Sequence, residues 1–114
     1  MPSRSHSTSA AELFEKLRRN VVDGPGELDP RVRRAAFAGD DVPASAAAYV
    51  EKVRAHAYKV TDEDVAALRA AGWTEEAIFE LTIATALGAG LSRREKARAA
   101  MRAANATRTA EVTR

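Results

Sequence analysis

The sequence contains no cysteine, only two histidines and only six aromatic residues among 114 positions. Without cysteine there are no disulfides, thiolate nucleophiles or zinc-thiolate sites, and His6 and His56 leave too few ligands for a structural metal. No metal and no cofactor are therefore expected. Hydrophobic residues make up 46% of the chain, enough for the core of one small domain, but many are alanines that bury little area each. A lone subunit has a thin core, and assembly into a homo-oligomer is the expected way to cover more surface. Long apolar runs are also missing: even Ile78 to Leu91 is broken by Glu80, threonines and glycines. Met1 to Thr8 carries Arg4 with no apolar run behind it, which reads as neither signal peptide nor anchor. A cytoplasmic location with no membrane partner follows as the expectation.

Charge of one sign is not in large excess, since the net charge is +2, but its distribution is uneven. Asp62, Glu63, Asp64, Glu75, Glu76 and Glu80 lie mid-chain, while Arg93, Arg94, Lys96, Arg98 and Arg102 come late. Such a charge dipole suits contacts between subunits. The basic run lacks interleaved aromatics and a reading motif, so the sequence argues against nucleic acid as the partner.

What is present is helical punctuation. Ser9 with Glu12 forms a capping box before Leu13, Phe14, Leu17 and Val21, which share one helical face, and Asp23-Gly24-Pro25-Gly26 ends that helix. Asp29 and Pro30 start a second helix, stopped by Gly39 and Pro43. A third, from Ala44 to Ala57, puts Ala46, Val50, Val53 and Ala57 on one stripe. Thr61 with Asp64 opens a fourth, with Val65 and Leu68 inward, and Gly72 ends it. Thr74 caps a fifth, whose apolar residues from Ile78 to Leu87 cover most of its circumference and mark it as the centre of the fold. Ser92 with Glu95 imitates another capping box, for a sixth helix with Ala97, Ala100, Met101 and Ala104 inward. The sequence predicts an all-α bundle of about six helices in one domain over residues 9–104, between disordered tails at 1–8 and 105–114.

Tyr49 to Met101, and above all the stretch from Val60 through Ala70-Ala71-Gly72-Trp73 to Leu81, resembles the carboxymuconolactone decarboxylase and alkylhydroperoxidase D family. The resemblance covers about half of the chain and implies an all-helical fold and oligomeric assembly. It also implies that a Cys-x-x-Cys pair and a following histidine, present in peroxidase members, would fall near Ala57, Val60 and Asp64. None of these can resolve a mixed disulfide, so peroxide reduction by the familial mechanism is excluded.

Decarboxylase members work without that thiol pair, which leaves acid–base candidates here. His56 could act as a proton donor or acceptor near neutral pH, Glu80 could become a carboxyl with raised pKa on a buried helix, and Tyr58 or Arg54 could orient an anion. Plainer readings stand beside these: His56 as a packing or interface residue, Glu80 as a solvated acidic edge with Glu76, and Trp73 as a core plug over a helix turn and not a ligand platform. Two functions remain in view. One is a non-catalytic oligomeric protein that binds a partner or small molecule; the other is a cofactor-independent lyase or isomerase on a small lactone or keto acid. A basic face for nucleic acid, resting on the last helix alone, comes third.

Overall fold

The structure, a computed structural model, describes residues 9–112. The tail expected at 1–8 lies outside the described residues, as do the last two positions. Five α-helices and no strand occur among the described residues: α1 (Ala10–Asp23), α2 (Pro30–Ala38), α3 (Ala44–His56), α4 (Asp62–Ala70) and α5 (Glu75–Val112), with a 3₁₀ turn at Ala57–Lys59.

Local chemistry places most of the boundaries. The Ser9 hydroxyl accepts from Glu12 N at 3.1 Å, and the Asp29 carboxylate accepts from Arg31 N at 2.8 Å beside Pro30 at the first helical position. Gly39 and Gly72 end α2 and follow α4 with φ of 80° and 102°, a region that costs side-chain-bearing residues dearly. At the start of α4, Asp64 accepts from Thr61 N at 2.8 Å and from Lys52 Nζ at 3.0 Å. The Thr61 amide, and after it the Lys52 ammonium, hold the Asp64 carboxyl below the usual aspartate range.

Two expected helices are one. α5 runs unbroken for 38 residues, about 57 Å at 1.5 Å per residue, so the sixth helix is absent and Ser92 caps nothing. No proline falls between 75 and 112, and Gly88 and Gly90 keep negative φ, so nothing forces the backbone out of the ladder. Continuation satisfies every backbone group that a cap at Ser92 would have had to serve. The helix also carries through 105–112, where the sequence reads as an aperiodic tail.

The core is built by Ala36, Ala46, Tyr49, Val50, Val53, Leu68, Ile78, Leu81 and Ala84, with Trp73 packed at its edge and donating from its indole to Ser45 Oγ at 2.9 Å. α2 lies hard against α5 at Gly88, where a Cβ would sit 2.0 Å from the Phe37 carbonyl oxygen. Only the first half of α5 is covered in this way. From Arg93 to Val112 every residue is exposed, including Ala97, Ala100, Met101 and Ala104, which the sequence places inward. The radius of gyration is accordingly 18.5 Å, against about 13 Å for a compact chain of about this length. No helix among the described residues is long and apolar enough to cross a membrane.

Candidate functional site

Two features lie on the side where α1 runs antiparallel beside α5: a cavity of about 220 Å³ and an exposed apolar stripe. At the cavity wall is Arg33, 2% exposed, which donates from Nε to Leu28 O at 3.0 Å and from Nη1 to Val21 O at 3.1 Å. It has no ion pair among the described residues, so its charge is stabilised by carbonyl dipoles that tie α2 to the end of α1 and the following loop. The sequence reading did not single out Arg33. Its spacing from Ala36, one helical turn away on the buried side of α2, was the available signal.

Glu80 lines the same cavity, but both of its carboxylate oxygens are engaged. Oε2 accepts from Glu27 N and Oε1 from Leu28 N, each at 2.9 Å. A Cβ at Gly26 would lie 2.6 Å from Oε1, so the glycine is what lets the loop wrap the carboxylate so closely. Glu80 is thus half-buried and clamps the α1–α2 loop, 53 residues away in sequence. It is not simply an acidic edge with Glu76.

His56 and Tyr58 stand at the other end of α3, both exposed, Tyr58 at 82%. Their rings meet edge-on at 6.1 Å, and Lys59 Nζ sits 5.8 Å from the Tyr58 centroid. Neither lines the cavity that Glu80 lines with Asn20, Val21 and Arg33. Arg54, the candidate anion ligand, donates from Nη2 to Ala36 O at 2.8 Å and Phe37 O at 2.9 Å, closing the end of α2. Ala57, Val60 and Asp64, where the resemblance places a thiol pair and histidine, fall respectively in the 3₁₀ turn, the linker after it and the first turn of α4. No group of three or more His, Asp or Glu residues able to hold a metal occurs among the described residues.

The apolar stripe is the larger feature. Val22, 1% exposed, is the residue of α1 that is buried, while Leu13 and Leu17, expected inward, are 57% and 45% exposed. Their face looks away from the core because the covered face of α1 is the one that carries Phe14, Arg18, Val21 and Val22. On α5, Phe79, Ile83 and Met101 are 60%, 38% and 65% exposed. Arg94 lies over the Phe14 ring at 4.8 Å, and Arg93 donates to the Arg54 carbonyl, so the middle of α5 is fixed to the body on two sides.

No family model, curated protein or solved structure matches the chain. The likeness to the carboxymuconolactone decarboxylase and alkylhydroperoxidase D family rests on residues 49–101 of the sequence alone.

Proposed function

We propose that this chain is a non-catalytic, self-associating interaction protein that works through the open face of α5. The observation supporting this reading is the second half of that helix: twenty residues, Arg93 to Val112, every one of them exposed, held to the body near its start by Arg93 and Arg94. Most helical stability in proteins comes from packing of an apolar face, and this stretch gains none from its own body, so a partner laid along it would add stability that the lone chain lacks. Self-association also answers the thin alanine-rich core, and any likeness to the family above is then one of helix arrangement without thiol chemistry.

The lyase alternative asks His56, Tyr58 and Glu80 to surround one substrate. His56 and Tyr58 meet each other, but Glu80 lines a cavity that includes neither, and its hydrogen bonds to the Glu27 and Leu28 amides give it a structural task. Amide hydrogen exchange as a function of protein concentration tests the association reading. Amides of residues 97–110 should exchange freely in dilute solution and become protected as concentration rises, with the body unchanged. Fast exchange in the arm at every concentration would remove the basis for the reading.

A further inference from the structure

Taking as its premise that α5 is an association surface, we propose that the partner is a second copy of this chain, docked antiparallel along α5 about a two-fold axis near residues 91 and 92. The exposed positions that define the seam are Glu76, Phe79, Ile83, Ala86, Gly90, Arg94, Ala97, Met101, Ala104 and Arg108. They advance in nine steps over 32 residues, about 3.6 per step, so a straight helix keeps them on one side.

Reversing one helix against another brings these positions together in complementary pairs. Phe79 meets Ala104, a large side chain against a small one; Ile83 meets Met101; Ala86 meets Ala97; Gly90 meets Arg94. At each end Glu76 meets Arg108. A parallel pair would instead set Glu76 on Glu76, Arg94 on Arg94 and Arg108 on Arg108, opposing like charges at each of the three charged positions.

The charge balance of the chain favours the same orientation. Residues 9–92 carry ten Lys or Arg and fourteen Asp or Glu, a net charge of −4, whereas residues 93–112 carry six and two, a net charge of +4. Antiparallel docking lays each basic arm along the acidic body of the other copy, while parallel docking opposes arm to arm. Gly90 fits the crossing point: a Cβ there would find nothing within 4 Å in its own chain. A mid-helix glycine that has no intramolecular reason to be small is explained by close approach of a second helix.

On the seam itself, Phe79, Ile83 and Met101 at their observed exposures leave about 300 Å² of apolar surface per chain, taking roughly 150–250 Å² for a large side chain. The exposed alanines and arginine stems bring this toward the roughly 800 Å² per partner of a stable interface.

Because the chain has no cysteine, introduced thiols are its only thiols. Mild oxidation of an Ile83→Cys/Met101→Cys double variant should give a covalent dimer. Either single variant should give none, because like positions lie about 26 Å apart across the axis, and a disulfide needs Cα atoms within about 7 Å. Separately, Glu76→Arg should weaken dimerisation about fivefold or more, and Glu76→Arg/Arg108→Glu should restore it. Crosslinking by the single variants, or a dimer indifferent to Glu76→Arg, overturns the antiparallel register and leaves the association reading standing. A chain that sediments as a monomer at every concentration overturns both.

Discussion

Replacing Gly88 with alanine sets two effects of opposite sign against each other at one position. In a helix interior, glycine to alanine stabilises by about 1 kcal/mol through backbone entropy alone. At Gly88 the added Cβ would lie 2.0 Å from Phe37 O and 2.7 Å from Phe37 C, backbone atoms that no rotamer change can move. Reaching ordinary contact requires α2 to retreat from α5 by about 1.5 Å, and overpacking of this kind costs about 1–3 kcal/mol or more. The retreat also loosens Ala36, which is fully buried between these elements. The steric effect wins, and Gly88→Ala should lose about 1–2 kcal/mol net. Gly90→Ala is the control two residues away: with nothing within 4 Å, only the propensity gain of about 1 kcal/mol remains. Urea unfolding at high dilution, where association does not contribute, should therefore separate the midpoints of the two variants by roughly 1–2 M, with the wild type between them. Equal stabilisation by both alanines would refute the close α2–α5 contact.

Arg33→Met should destabilise by about 2 kcal/mol or more in thermal or urea unfolding, since it leaves the Val21 and Leu28 carbonyls without their buried donor. Glu80→Ala should cost about 1–3 kcal/mol by freeing the Glu27 and Leu28 amides, and Glu80→Gln should cost less because one amide can still be served. For Asp64 the native pKa is depressed, so its contribution is present above the unfolded value and is lost as pH falls through the native one. Stability profiles of wild type and Asp64→Asn should therefore differ at neutral pH and converge in acid, below the ordinary aspartate value of 3.8. A difference that persists at the acid end would contradict the assignment. His56→Ala and Tyr58→Phe, both at exposed positions, should change stability by no more than about 0.5 kcal/mol.

The sequence made the helix starts and stops legible wherever they depend on neighbouring residues. Ser9, Asp29-Pro30, Gly39, Gly72 and Thr74 all act where their chemistry places them. Ser92 failed because a cap motif states only that a helix can begin there, and a helix already in progress satisfies the same groups better. The direction of an apolar stripe was harder to read than its existence. Leu13 and Leu17 keep their spacing and face solvent, while Val22, one position beyond the stripe, fills the core. Periodicity reports that a face is apolar; what covers it depends on partners elsewhere in the chain or in another chain. The Glu80 clamp and the Arg33 tie were not legible for the same reason, since their partners are backbone atoms of a loop whose path is set by tertiary packing. The acid–base trio was assembled by chemical type, and the fold distributes it between the far end of α3 and the α1–α2 loop.

The central claim, that the open face of α5 is covered by a second copy of the chain, is tested most directly by sedimentation equilibrium of the full chain over a wide concentration range, alongside Met101→Glu. The wild type should approach twice 12.2 kDa as concentration rises, and Met101→Glu, altered at a position 65% exposed in the lone chain, should remain near 12.2 kDa with an unchanged circular dichroism spectrum in dilute solution. A wild type that stays monomeric, or a Met101→Glu variant that dimerises as well as the wild type, would contradict the claim.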